Sequence, residues 1–191
     1  MRRSVTKDSE KGFMGFNWIE QQLNKFTGEK RQRNRALFLT IFKTGGRISE
    51  VLSLKRINFT QDENYFIIKD MKKEKDKDNE TYQPIKIPKQ EPLNEEWIQW
   101  INSKSNYLFP SSKKNDKPLS RIRAYKIISK IGTYPHFLRS QRSSCDISYY
   151  GIEAHNLQYL RQWKTPEMIQ VYAGAEARQQ AQDKMLEKFK T

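Results

Sequence analysis

The hydrophobic period of this chain changes twice along its length, and no other feature restricts the fold as tightly. In the first segment Phe16, Ile19, Leu23 and Phe26 recur at helical spacing until Thr27-Gly28 stops the run. "KRQRNRALFLTIFKTGG" predicts a second helix with a strongly basic start, ending at Gly45-Gly46, and "RISEVLSLKR" a third. The period then drops to two. "INFTQ", "NYFIIKD" and "TYQPIKIP" are short β-branched or aromatic runs, the first two joined by the polar turn "DEN". "MKKEKDKDNE" separates the second from the third; a stretch so charged cannot bury itself and predicts an exposed, mobile hairpin tip.

Beyond Pro92 the helical period returns. "LNEEWIQWINSK" reads as a helix capped by Asn94 with Glu95-Glu96 in its first turn. "NYLFPSSKKNDKP" is loop, and Ser120 caps "RIRAYKIISKIG". "TYPHFLRSQRSSCDISYYG" starts a helix after Pro135 and ends it at Gly151. A short helix around "AHNLQYLRQ" leads into "RQWKTPEMIQVYAG", where Thr165-Pro166 open a further helix that closes before Gly174. The tail "EARQQAQDKMLEKF" carries Ala181, Met185 and Phe189 on one stripe. These elements predict an α+β domain, mostly helical, with a small three-stranded antiparallel sheet at one edge. Residues 1–12 form a loose polar tail, 13–191 a single domain, and 176–190 a terminal helix able to pack on a neighbouring subunit.

A chain of 191 residues is long enough to bury a sizeable core, and 36% hydrophobic residues supply one. The 36 Lys and Arg against 22 Asp and Glu give a net charge of +14. Such a balance predicts a polyanionic partner, with nucleic acid first, because phosphates reward Lys and Arg through counterion release. No amphipathic basic terminus, apolar span or signal peptide points to a membrane. One cysteine, Cys145, allows no intramolecular disulfide and fits an intracellular, reducing setting. One cysteine and two histidines give no zinc-site spacing, and nothing calls for a metal or cofactor.

Three places depart from ordinary helix filling. In "TGGRISEVL", Arg47 stands where two glycines let the backbone turn tightly into a helix start. In "PHFLR", His136 and Arg139 are three apart and share a helix face. In the third, Trp163 precedes Tyr172 by nine residues. Taken singly, each has an ordinary structural reading: a surface arginine, an exposed pair, an aromatic packed in a core.

Taken in order, they resemble the tyrosine recombinases, also called phage-type integrases. "TGGRISEVLSLK" resembles that family's first arginine box and "PHFLRS" its second; Trp163 lies 12 residues and Tyr172 21 residues after Gly151, which matches the family's spacing. "YLFPS" and "PIKIP" also fall where such domains carry similar strings, so the resemblance covers roughly residues 16–180. "SQRSSCD" after the second box departs from the family's usual continuation and marks a divergent branch, for which a viral or plasmid origin in archaea is the expectation.

The resemblance implies a DNA strand-exchange enzyme in which Tyr172 attacks the scissile phosphate to give a 3′-phosphotyrosine and a free 5′-hydroxyl. It implies that Arg47 and Arg139 clamp the non-bridging oxygens, planar forks suiting that task better than lysine. His136 would assist as donor or proton acceptor. Trp163 would donate its indole N–H to a phosphate oxygen, and Glu50 in "RISE" would support the site from behind. The general acid should be a lysine of the sheet hairpin, which offers Lys69, Lys72, Lys73, Lys75 and Lys77; the count from Arg47 favours Lys72 or Lys73, and Lys73 is selected with Lys72 and Lys75 as alternatives. The implied partner is double-stranded DNA bound by a homotetramer that is monomeric when free, in the nucleoid or, for a virus, in the host cell; no small-molecule substrate is implied.

Family members usually carry an N-terminal DNA-binding domain as well, so this chain reads as a trimmed or minimal form. Two other readings share these residues. A type IB topoisomerase would use the same chemistry to relax one duplex, and a non-catalytic DNA-binding module would need only the charge.

Overall fold

The computed structural model describes residues 12–69, 71, 84–111, 117–161, 163 and 165–187. Its helices are α1 (Phe16–Asn24), α2 (Arg31–Thr44), α3 (Ile48–Ser53), α4 (Asn94–Asn102), α5 (Arg121–Ser129), α6 (Pro135–Ser148), α7 (Asn156–Leu160) and α8 (Glu167–Glu187). Strands β1 (Phe59–Gln61), β2 (Tyr65–Ile68) and β3 (Ile85–Pro88) form one antiparallel sheet in the order β1-β2-β3. The expected mostly helical α+β architecture, with its small sheet, is what the chain adopts.

Helix α2 lies at the centre. Its C-terminal two-thirds, from Ala36 to Thr44, is buried all round, because α4, α6 and shorter elements cover every face. A helix apolar all round can only be an interior one. The sheet docks through one face: Phe59 pairs with Ile68 and Phe66 with Ile87, all four buried, as period-two alternation requires. Phe59 and Phe66 stand edge-on to the fully buried Trp97 of α4, with centroids 5.5 and 5.9 Å away. The Trp97 indole N–H donates to Thr40 Oγ1 at 2.9 Å, which joins α4 to α2. Each such aromatic contributes roughly 1.5–3 kcal/mol by leaving water.

The N-terminal segment is tied down from Gly12 onward. Gln141 of α6 donates to the Gly12 carbonyl at 2.7 Å and accepts from the Met14 N–H at 2.8 Å. The β1–β2 turn is held by Asp62, whose carboxylate accepts from the Asn64 and Tyr65 N–H groups.

The elements differ from expectation in two places. Asn94 is not a cap; Leu93 holds that position at φ +64°, and Asn94 instead donates to the carbonyls of Pro88 and Lys89, joining α4 to the end of β3. Helix α6 ends at Ser148 rather than at Gly151. Helix α8 is kinked: Ala173 (φ −148°, ψ 24°), beside Gly174, is not helical and divides the stretch that carries Tyr172 from the terminal stretch. Ser120 does cap α5, accepting from the Arg123 N–H at 3.3 Å.

Candidate active site

The first arginine stands on a turn that only glycine can make. Gly45 closes α2 at φ +61°, a left-handed conformation that L side chains rarely adopt. Gly46 follows with its N–H on Thr44 Oγ1, and a Cβ placed there would lie 2.2 Å from Met71 Cε. The turn delivers Arg47 to the N-cap of α3. One Glu50 oxygen accepts from the Arg47 N–H at 2.7 Å and the other from its guanidinium at 2.9 Å. The Arg47 side chain is 49% exposed, so its charge faces outward while Glu50 fixes its direction.

Helix α6 supplies the second box. Tyr134 is extended, Pro135 occupies the first helical position with its preset φ, and His136 and Arg139 follow one turn apart. Arg139 is buried, and its guanidinium carbon lies 5.0 Å from the centroid of the Tyr172 ring. Burial lowers the Arg139 pKa, and the like charges of Arg47 and Arg161 add to that, against a raising influence from Tyr172 and Glu50. His136 is pushed below the ordinary histidine value, first by partial burial and then by the charges of Arg139, Arg121 and Arg47. Arg47, Glu50, His136, Arg139 and Tyr172 therefore lie within electrostatic reach of one another.

Tyr172 sits on the last regular turn of α8 before the irregularity at Ala173, and its carbonyl accepts from Ser140 Oγ of α6 at 3.0 Å. It is 7% exposed and belongs to an apolar cluster with Ile147, Leu157, Trp163 and Ala173. The Trp163 ring lies 5.4 Å from the Tyr172 ring with a 30° tilt. Tyr172 is thus a packed aromatic that also lies against Arg139 and Trp163. Two buried donors belong to the side chains that lie against its ring: Arg139 Nε and Trp163 Nε1 make no hydrogen bond to any described residue. A buried donor without a partner costs about 1–3 kcal/mol, so an acceptor entering between these side chains would relieve that cost.

Six of the residues selected from sequence are therefore gathered in one place: Arg47, Glu50, His136, Arg139, Trp163 and Tyr172. Lys72, Lys73, Lys75 and Lys77 lie outside the described residues. Lys69 is exposed beyond β2, its N–H bonded to the Asn58 carbonyl. Among the described residues no group of three or more His, Cys, Asp or Glu side chains could hold a metal ion, and no helix is long and apolar enough to cross a membrane.

Beneath the site lies a set of charges that sequence reasoning missed. Asp146 accepts from Arg142 Nε at 3.1 Å on one oxygen and from Arg161 Nε at 2.6 Å and Nη2 on the other. Arg142 Nη1 reaches Glu91 at 2.7 Å, and Glu91 also accepts from Lys43 at 2.9 Å and from the Tyr150 hydroxyl at 2.5 Å. Arg161 Nη1 donates to the Thr44 carbonyl at 3.1 Å. Burial alone would raise the Glu91 pKa, but the charges of Arg142 and Lys43 hold it down at about 2. Burial lowers Lys43 to about 8 even with Glu91 beside it. The signal that could have revealed this set is Arg142 and Asp146 at i and i+4, on a helix whose intervening residues are only Ser143, Ser144 and Cys145.

The phage integrase family profile matches residues 18–179. The chain belongs to the phage integrase family. Comparison with curated protein sequences gives no match. Among solved structures, the fold is similar to that of XerH site-specific recombinase in a post-cleavage complex with its palindromic difH substrate: TM-score 0.66 at 18% identity, covering 94% of this chain and 54% of XerH. The Tn1549 transposon integrase in complex with circular intermediate DNA aligns with TM-score 0.57 at 19% identity, covering 87% of this chain and 62% of that one. The integrase from mycobacterium phage Brujita gives 0.53 at 16% identity, covering 85% and 56%. This chain thus spans between half and two thirds of the length of these integrases and recombinases.

Proposed function

We propose that this chain cuts and rejoins duplex DNA as a site-specific recombinase, with Tyr172 as nucleophile. The observation that carries the reading is the pair of unbonded buried donors, Arg139 Nε and Trp163 Nε1, on two side chains that both lie against the Tyr172 ring. A phosphate entering there would give both donors an oxygen. As negative charge grows on the non-bridging oxygens in the transition state, fixed donors in a shielded site stabilise it without reorganising. Arg47, outward-facing and braced by Glu50, supplies a second guanidinium to the same group.

In the cleavage step the Tyr172 oxygen bonds to phosphorus, the bond from phosphorus to the 5′ oxygen breaks, and a 3′-phosphotyrosine remains. His136 takes the phenolic proton, since a histidine shifted below its ordinary pKa is a neutral acceptor at pH 7. The leaving 5′ oxygen takes a proton from Lys73, with Lys72 and Lys75 as alternatives. Met71, the described residue before these lysines in the chain, packs on Gly46, the residue that precedes Arg47. Attack by a 5′-hydroxyl from the partner duplex reverses the sequence and seals the exchanged strand. The phosphodiester energy is held in the phosphotyrosine throughout.

The net charge of +14 supports DNA as the partner. The terminal helix supports assembly as a tetramer on that DNA, because Met185 and Leu186 stand 68% and 58% exposed near its end. Phe189 of the same stripe lies outside the described residues.

The test is covalent capture on a labelled pool of nicked duplexes of randomised sequence, resolved on a denaturing gel. A protein–DNA band formed by the wild type and absent with Tyr172→Phe is expected. Binding in a mobility shift without any band would defeat the reading in favour of a DNA-holding module, and relaxation of a supercoiled plasmid without exchange would favour a topoisomerase.

A further inference from the structure

The buried charges close a ring. From the Thr44 carbonyl the contacts run through Arg161, Asp146, Arg142 and Glu91 to Lys43, the residue next to Thr44 in α2. Every side chain in the ring is 5% exposed or less. Two of its members touch the site's own segments. Arg161 follows α7 and stands two residues before Trp163. Thr44 stands three before Arg47, and a Cβ on Gly45 would meet Arg161 Nη1 at 3.4 Å and Arg142 Cγ at 3.5 Å. The arginines are therefore packed directly against the turn that aims Arg47.

We infer that Arg161, gripped by Asp146 and bonded to the Thr44 carbonyl, is a positioning residue that holds the Trp163–Tyr172 segment in register with the Arg47 turn. The inference rests on the reading of Tyr172 and Arg47 as one site, and extends it to a residue that touches no substrate. A buried ion pair is a poor source of net stability, because desolvating both charges consumes most of their attraction. What it gives is direction. The planar guanidinium fork of Arg161 addresses a carboxylate and a carbonyl at once, and a lysine there has a single point charge.

Arg161 thus joins the two segments through one side chain. The stretch from Thr165 to Tyr172 otherwise leans on the small cluster around Ile147 and Leu157 and on the Ser140–Tyr172 contact. The Arg47 turn leans on Met71 and on Glu50. Misplacement of reacting groups by about 1 Å can cost on the order of 100-fold in rate, so a link between these segments has a rate consequence beyond any fold consequence.

The experiment compares Arg161→Lys, which keeps the charge against Asp146 but cannot fork, with an Asp146→Leu/Arg161→Leu pair, which replaces the buried charges with apolar volume. Three quantities are read: thermal midpoint, amide hydrogen exchange at Gly46 and Arg47 in the free protein, and the single-turnover cleavage rate with DNA saturating. Both variants are expected to stay folded at 25 °C. Exchange at Gly46 and Arg47 should rise about 10-fold or more, and the cleavage rate should fall about 10- to 100-fold, with DNA affinity within about threefold of wild type. Wild-type exchange in folded Arg161→Lys, or a wild-type cleavage rate in either folded variant, would overturn the inference and leave the ring as packing alone. Should the wild type form no adduct at all, the Tyr172 reading falls, while the exchange measurement still decides for or against the link.

Discussion

Replacing Glu91 by glutamine isolates the energetics of the buried ring. The carboxylate is fully buried and shared by Lys43, Arg142 and the Tyr150 hydroxyl. Its pKa lies at about 2 against an ordinary 4.5, a displacement equivalent to about 3 kcal/mol at 1.36 kcal/mol per pH unit. Because the folded-state value is the depressed one, that stability is present in full above pH 4.5. It is lost as pH falls through about 2. At pH 7 the amide leaves two buried cations short of a counter-charge, a defect of about 3–5 kcal/mol. Burial already weakens the Lys43 end of the pair, whose pKa is only about 8, so the lower end of that range is expected. Urea denaturation followed by circular dichroism at pH 7, 5, 3.5 and 2.5 measures it. Glu91→Gln should unfold about 3 kcal/mol more easily at pH 7, and the gap should narrow as acid neutralises the wild-type carboxylate. A gap below about 1 kcal/mol at pH 7, or one that stays constant down to pH 2.5, would refute the account of Glu91 as the ring's counter-charge.

Other consequences are as direct. Gly46→Ala puts a methyl against Met71 Cε, the free end of a flexible side chain that can swing aside, and should cost about 1 kcal/mol or less in chemical denaturation; a loss above about 2 kcal/mol would show Met71 locked in place. Thr40→Val leaves the Trp97 indole N–H without its partner and should destabilise by about 1–3 kcal/mol in chemical denaturation. Trp163→Phe keeps the ring against Tyr172 but removes its donor; single-turnover cleavage should drop roughly 100-fold with the thermal midpoint nearly unchanged, and an unaltered rate would remove Trp163 from the site. Cys145 is buried with its thiol pushed up to about 12, so alkylation at pH 8 should proceed only at the rate of opening and accelerate sharply across the unfolding transition.

What the sequence disclosed and what it hid follow the physics of each residue type. The spacing of Phe16, Ile19 and Leu23, and the alternation in "NYFIIKD", report a helix and a strand because burial on one face imposes a period. The juxtaposition of Arg47, His136, Arg139, Trp163 and Tyr172 was legible in the order and spacing of their residue types. Gly174 was read as closing the helix that carries Tyr172, and the regular backbone does break beside it, at Ala173, where two helical stretches meet across a kink. Asn94 was read as a cap from local preference, but the open carbonyls at the end of β3 are what its amide serves. The ring was hidden for a general reason. Lys43, Glu91, Arg142, Asp146 and Arg161 are charged, and charged residues are almost never fully buried unless paired. Their pairing joins positions 48, 51 and 15 residues apart, beyond any local pattern.

The ring holds three cations, Lys43, Arg142 and Arg161, against two carboxylates, Glu91 and Asp146. One unit of positive charge is therefore left in the interior, directly behind the turn that carries Arg47. Surface lysines and arginines lose much of their influence on a polyanion as salt rises, but a charge walled off from solvent is screened far less. The pull on a bound phosphate should then separate into two parts, one that fades with ionic strength and one that persists until pH passes about 8 and Lys43 gives up its proton.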